Sequence, residues 1–276
     1  MKHHTDLQPL VSAIMPAYNE QAHIGDAIRS ILSQTLQNWE LIIVNDGSTD
    51  NTERIVLSFD DARIKYVYQE NKGRGAARNK ALSLAKGKYV AVTDADDISL
   101  PERFETEVRF LEEHPEIAVV SGQLMVFGDS YTPRLLYRYP TDLEEIRAYF
   151  GRGVMGVPHP ASMIRRSVFD EIGGYCEECL RAQDLELFLR INQRYTLACL
   201  DECMIHYRAL PSEMTASFWF RLMKYQEYAY YRSRCIALGR EPDSFTMWEH
   251  GHLNRLRFYV WHGLRYVKYK IRFFIK

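Results

Sequence analysis

The chain has 276 residues, 46% of them hydrophobic and 26% charged, which is ample core material for one large domain or a domain with a smaller appendage. A net charge of -1 gives no global sign of nucleic acid as a partner. No uninterrupted apolar run reaches the ~18 residues a membrane span needs, and the opening MKHHTDLQPLVSAIM has no signal-peptide core, so a cytoplasmic protein is expected.

The first hundred residues alternate strand and helix signals. LVSAIM reads as a short strand that stops at Pro16, and a helix follows with Ile24, Ala27, Ile28, Ile31 and Leu32 on one face. WELIIVND is the next strand and runs into Asn45, Asp46 and Gly47. STDNTERIVLSF starts as a capped helix, with Asp50 and then Glu53 three positions on. IKYVYQE is a third strand, GAARNKALSLAKG a helix ended by Gly87, and KYVAVTD a fourth strand. Repeated β-α-β units with near-continuous apolar strands predict a mostly parallel sheet with helices on both faces. Beyond residue 115 come a strand in IAVVSGQLMVF, a helix in DLEEIRAYF, and a loop, strand and short helix in PHPASMIRRSVFDEIGGY. AQDLELFLRIN is an amphipathic helix, and past Ser217 the composition turns aromatic and basic.

In such a sheet the ligand lies beyond the carboxyl ends of the strands. Four polar clusters, PAYNE, NDGSTD, QENKGRG and DADD, fall at those ends. The acidic turn holds Asp94, Asp96 and Asp97. It suits a solvated turn, with Ser99 capping the next helix and Pro101 near its first turn. It also suits a divalent cation such as Mg2+ or Mn2+, which takes carboxylate oxygens together with substrate phosphates. Asp46 can accept from a base N–H, although NDGSTD is also a common turn. NKGRGAARN supplies Arg74 and Arg78 near a helix start, where guanidinium groups suit a diphosphate or simply line a helix surface. Asp184 stands near a helix N-terminus, favoured by the helix dipole or placed as a general base. His159, in PHPASMI, has no chemistry assignable from its type and setting.

Taken together, SAIMPAYNE, LIIVNDGSTDNT, NKGRGAARNKAL, GKYVAVTDADD, HPASMIRRSVFDEIGGY and AQDLELFLR resemble the family 2 glycosyltransferases of GT-A fold, over roughly residues 10 to 215. The resemblance implies transfer of a sugar from a nucleotide donor, usually UDP-linked, with inversion at the anomeric carbon. It implies that Pro16, Ala17, Tyr18 and Glu20 line the nucleoside pocket, that Asp46 bonds the base, and that Arg78 lies near the uracil or the phosphates. Asp94 and Asp96 match the family's DxD, with Asp96 the metal ligand and Asp94 nearer the ribose, and Asp184 matches the catalytic base. The family commonly carries Glu-Asp at this last motif, where the chain has Gln183-Asp184. The loop around Arg208, Ser212 and Ser217 resembles a segment that closes over the donor phosphates.

The domain expectation is therefore a transferase domain over 1–215, with the nucleotide sugar bound by about 10–115 and the acceptor by about 116–215. A helical extension over 216–276 would follow. From Gly251 to Lys276 there are seven basic residues and no acid, and apolar residues recur at three- and four-residue steps. That pattern suits an amphipathic helix on an anionic membrane, or a helix packed on the protein. A lipid-linked glycan in surface polysaccharide assembly is the acceptor class such a location favours. Rival readings are a sugar-nucleotide-binding protein or partner subunit without turnover, and a nucleotidyltransferase. The latter wants a Gly-rich basic loop where this chain has PAYNE. Five cysteines include Cys176-x2-Cys179 and Cys199-x3-Cys203, without a glycine knuckle, so free thiols are expected rather than a zinc ribbon.

Overall fold

The computed structural model describes residues 8–128, 133–208 and 216–251. The strands of the first half are β1 (Val11–Ala17), β2 (Trp39–Asp46), β3 (Ile64–Gln69) and β4 (Tyr89–Val92). They pair in parallel in the order β3-β2-β1-β4. The reversal of strand order at β1 opens a crevice at the carboxyl ends of β1, β2 and β4. Helices α1 (Ile24–Leu32), α2 (Thr52–Val56) and α3 (Arg74–Leu84) connect these strands.

The strands read as continuous apolar runs because both faces are covered. On β1, Ile14 joins a cluster with Ala77 and Ala81 of α3, while Val11, Ala13 and Met15 join Ile24, Ala27 and Ile28 of α1 on the opposite side. The same alternation separates Ile42 and Val44 from Leu41 and Ile43 on β2.

The second half extends the sheet. A two-residue β5 (Ile98–Ser99) and α4 (Arg103–Glu113) lead into β6 (Ile117–Phe127), β7 (Pro133–Tyr137) and α5 (Leu143–Gly151). A 3-10 turn at His159–Ala161 precedes β8 (Ser162–Arg165) and α6 (Arg166–Ile172). Helix α7 (Gln183–Asn192) and β9 (Thr196–Arg208) complete this part. β8 runs antiparallel between β4 and β6, β6 pairs in parallel with β9, and β7 adds antiparallel to β6. The result is a mostly parallel sheet flanked by helices. Helices α8 (Ala216–Ala237) and α9 (Phe245–Gly251) follow, and Tyr228, Ala229 and Trp248 sit in the same buried cluster as Leu187 and Phe188 of α7.

Three local expectations change. β1 continues through Pro16 to Ala17 rather than stopping at the proline. Thr93 N donates to Ile14 O, so Ile14, and Pro16 two residues on, face β4; that strand ends at Val92, and the missing N–H leaves no ladder partner empty. Ser99 does not cap a helix: it lies in β5, and α4 begins at Arg103 behind Glu102 without a side-chain cap. Helix α2 starts at Thr52 with Asn51 at the N-cap and no reciprocal cap. Asp50 Oδ1 instead accepts from Thr52 N (2.9 Å), and Oδ2 from Gln21 N (3.0 Å). The basic tail beyond Gly251, the N-terminal residues 1–7 and Ser212 lie outside the described residues.

Candidate active site

A cleft of about 280 Å3 opens where the strand order reverses, lined by Pro16, Ala17, Tyr18, Glu20, Asp46, Asn71, Gly73, Arg74 and Ala77. The five candidate nucleoside residues other than Arg78 and the acidic turn are thus brought together. The PAYNE and NDGSTD loops are laced to each other: Asn19 N donates to Ser48 Oγ (2.9 Å), Thr49 N to Asn19 Oδ1 (2.8 Å) and Glu20 N to Thr52 Oγ1 (2.8 Å). Gly47 is required on two counts. Its φ of +76° disfavours a side chain, and a Cβ there would lie 2.8 Å from Asn71 N.

Asp46 is buried and shapes the cleft wall. Its Oδ1 accepts from Gln69 Nε2 (2.7 Å) and Lys72 N (2.9 Å), and its Oδ2 from Gly73 N (2.8 Å). A carboxylate has about four acceptor directions, so three are used on the Gln69–Gly73 loop. Asp46 therefore holds that loop against β2 and keeps about one acceptor direction free of it.

Arg78 does not line the cleft. It is 3% exposed, and its Nη2 donates to Asp94 Oδ1 (2.7 Å). With the Gln183 amide turned to satisfy both of its ends, Gln183 Oε1 accepts from Arg78 Nη1 (3.0 Å) and its nitrogen donates to Cys179 O (2.8 Å). The guanidinium thus links the acidic turn to the residue before Asp184. Arg74, at the start of α3, is the arginine at the cleft. The two are one helical turn apart, so Arg78 sits about 5.4 Å deeper. Tyr175 lies beneath Arg78, 5.5 Å from guanidinium carbon to ring centre, and its hydroxyl is 3.0 Å from His159 Nε2. His159 is buried, and that burial, reinforced by Arg78, pushes its pKa well below the usual imidazole range. A neutral ring behind the site is the consequence.

The three acids of the turn divide their tasks. Burial raises Asp94, but Arg78 and Arg74 more than offset it and hold Asp94 below the ordinary carboxylate range. Burial and then the Asp94 charge push Asp96 up to about 6, and burial and then Asp96 push Glu20 up to about 7. Asp97 is a strut: its Oδ1 accepts from Arg208 N (2.8 Å), tying the end of β9 to the turn, while Arg208 Nε donates to Asp96 O (3.0 Å). Burial, then Asp96 and Asp94, raises Asp97 well above the ordinary carboxylate range. Behind the turn, buried Arg103 donates to Val92 O (2.8 Å) and Ser99 Oγ (3.1 Å).

Asp96 and Glu20 resist ionisation because both are partly buried among other acids, with the Asp94 charge acting on Asp96 and the Asp96 charge on Glu20. A hard divalent cation would relieve both, and the donors are all oxygen. Among the described residues no three His, Cys, Asp or Glu side chains form a group that could hold a metal ion by themselves. Asp184 opens α7; its Oδ1 accepts from Leu185 N (2.8 Å), and burial raises its pKa against the lowering effect of that bond and of Arg78. The five cysteines are all free thiols. Sequence reasoning missed Asn71, Gly73, the Arg78–Gln183 link and the His159–Tyr175 pair. All depend on contacts between segments far apart in the chain.

Residues 12–173 match the family model described as glycosyl transferase family 2. The chain belongs to glycosyltransferase family 2. It is 32% identical over 221 residues to the putative teichuronic acid biosynthesis glycosyltransferase TuaG of Bacillus subtilis, covering 78% of this chain and 85% of that one. Among solved structures it resembles TarS of S. aureus in complex with UDP-GlcNAc, with a TM-score of 0.60 at 20% identity, covering 79% of this chain and 66% of that one. It also resembles the mannosyltransferase PcManGT of Pyrobaculum calidifontis in complex with GDP-Man and Mn2+, with a TM-score of 0.60 at 20% identity, covering 82% and 64%. At that identity the two structures establish the GT-A fold. This glycosyltransferase has relatives in polysaccharide biosynthesis. Among its described residues no helix is long and apolar enough to cross a membrane.

Proposed function

We propose that this transferase moves a sugar, with inversion, from a UDP donor to a hydroxyl of a glycan or lipid-linked glycan during surface polysaccharide assembly. The observation that carries the reading is the Arg78 bridge. One buried guanidinium binds Asp94 of the acidic turn and Gln183, the neighbour of Asp184, so the acidic turn and the candidate base border one site. UDP is the favoured donor because of the likeness to TarS with UDP-GlcNAc, and Mn2+ or Mg2+ is favoured by the PcManGT complex and by the all-oxygen donor set.

In this reading Pro16, Ala17, Tyr18 and Glu20 hold the nucleoside, and Arg74 faces the diphosphate. Asp96, assisted by Asp94, would hold the cation, which when bound neutralises charge on the diphosphate. Asp184 takes the proton of the acceptor hydroxyl. The acceptor oxygen then bonds to the anomeric carbon as the carbon–oxygen bond to UDP breaks, and the bonding pair leaves with the diphosphate. A single displacement inverts the carbon. Gln183 supplies no negative charge beside the base, and the carboxylates on which the Arg78 charge acts are Asp94 and Asp184.

The test is a panel of UDP-, GDP- and ADP-sugars screened for Mn2+-dependent thermal stabilisation, followed by nucleotide release. Stabilisation and turnover with a UDP-sugar are expected. Stabilisation without turnover on any acceptor would favour a binding subunit, and release of pyrophosphate would favour a nucleotidyltransferase.

A further inference from the structure

The sheet face beside Asp184 carries tyrosines that the donor chemistry does not use. β7, β6 and β9 lie side by side, and Leu135, Val126 and Tyr207 form one cross-strand row, with Tyr137, Leu124 and Ile205 in the next. Residues in register share a face, and so do rows two residues apart. Tyr137 and Tyr207 therefore stand on the same side of the sheet. Tyr139 continues that side, with its ring centroid 5.2 Å from that of Tyr137 at 54°. Its backbone is fixed by Gln123: Tyr139 N donates to Oε1 (2.7 Å), and Nε2 donates to Tyr139 O (3.3 Å) and to Leu200 O (2.8 Å).

Both ends of this row reach the site. Tyr139 packs against the cluster that contains Ala182 and Leu185, on either side of Asp184 in the chain. The Asp184 charge is also among the causes, after burial and two other tyrosines, that raise its phenol. Tyr207 precedes Arg208, which grips Asp97 and the Asp96 carbonyl, and after burial the charges of Asp97, Asp94 and Asp96 raise the Tyr207 phenol. Leu124 and Ile205 are buried against Ala161, but the outer part is open: Leu135 is 60% exposed, Tyr137 51% and Tyr207 36%.

We propose that this shelf is the acceptor subsite, and that it binds one pyranose ring of the acceptor. The reading rests on Asp184 as the base. The C–H face of a pyranose is apolar and flat, and it lies against aromatic rings, while phenol hydroxyls meet the ring's own hydroxyls. Exposed Tyr137 and Tyr207, with the more deeply set Tyr139 against Tyr137, offer both. A ring seated there presents a hydroxyl to Asp184 from the side away from the nucleoside cleft.

Saturation-transfer NMR on the full chain, with UDP and Mn2+ present, tests the assignment using methyl glycosides of glucose, galactose and N-acetylglucosamine. At least one should receive saturation from protein aromatic protons. Tyr207→Ala and Tyr137→Ala should each weaken its binding about tenfold, and Tyr207→Phe should keep most of it. UDP-dependent thermal stabilisation should be the same in all variants. The assignment is overturned if no glycoside receives aromatic saturation, or if both alanine variants bind like the unmodified chain. A tenfold or greater preference for octyl over methyl glycosides would also overturn it, in favour of a lipid groove. Failure of the underlying transferase reading looks different: UDP with Mn2+ would then not stabilise even the unmodified chain.

Discussion

Replacing Arg78 with methionine removes the buried ion-pair partner of Asp94. The side chains are 3% and 22% exposed, at an Nη2–Oδ1 distance of 2.7 Å. Removing one partner of a buried pair costs about 3–5 kcal/mol, because the other charge is left uncompensated. Asp94 has some access to water, which places Arg78→Met near the low end, about 3 kcal/mol. For a protein of this size that is a fall in Tm of about 6–12 °C. Asp94→Asn in the same chain removes the stranded charge and should restore about two thirds of the loss. The remainder is the buried Gln183 oxygen that Arg78 no longer satisfies, about 1 kcal/mol. The pH dependence has a fixed sign. Asp94 is held below its ordinary range, so its stabilising contribution is full at pH 7 and disappears as pH falls below about 4. Thermal unfolding of the four proteins of this cycle, at pH 7 and near pH 3, is the assay. The reasoning fails if Arg78→Met melts within 2 °C of the unmodified chain, or if the two substitutions are simply additive at pH 7.

Three further outcomes follow from the same geometry. Transfer should rise with pH and level off above the Asp184 pKa, which burial places above the ordinary aspartate range. Gln183→Glu, by adding a like charge beside the base, should move that midpoint upward; an unchanged profile would remove Asp184 from the base role. Gly47→Ala forces a Cβ to 2.8 Å from Asn71 N at a φ of +76°, so it should cost about 1–3 kcal/mol and weaken UDP binding, measured by melting with and without UDP. Liposomes containing anionic lipid should co-float the full chain and leave behind a truncation before Gly251; equal recovery of the two would end the membrane reading of the basic tail.

The parallel half of the fold was legible because its physics is local. The run Leu41 to Val44 in WELIIVND is apolar since helices cover both faces of β2, and the strand occupies Trp39–Asp46. The convergence of PAYNE, NDGSTD and the acidic turn followed from the rule that parallel strands end at one edge. The errors came where a residue's partner lies elsewhere in the chain. Pro16 is tolerated inside β1 only because β4 has already ended, which the LVSAIMP stretch itself does not show. Ser99 has a good capping side chain, yet it is drawn into β5 by pairing with Ile205 of β9, more than a hundred residues away. Arg74 and Arg78 share a helix face, so spacing could not say which one meets the cleft. The start of α3 at Arg74 decides it, leaving Arg78 one turn inward against Asp94 and Gln183. Asp46 shows a related limit: its type fits a base contact, but its bonds to the Lys72 and Gly73 amides are not visible in NDGSTD.

The central claim is that a nucleoside diphosphate and a divalent cation meet at the acidic turn, while Asp184 works on the acceptor side. Calorimetric titration of UDP with and without Mn2+, into the unmodified chain, Asp96→Ala and Asp184→Asn, tests it most directly. The account predicts metal-dependent binding that Asp184→Asn keeps, even though its transfer falls roughly a thousandfold, and that Asp96→Ala loses by about a hundredfold or more. Mn2+-dependent binding of UDP to Asp96→Ala at the strength of the unmodified chain would contradict it.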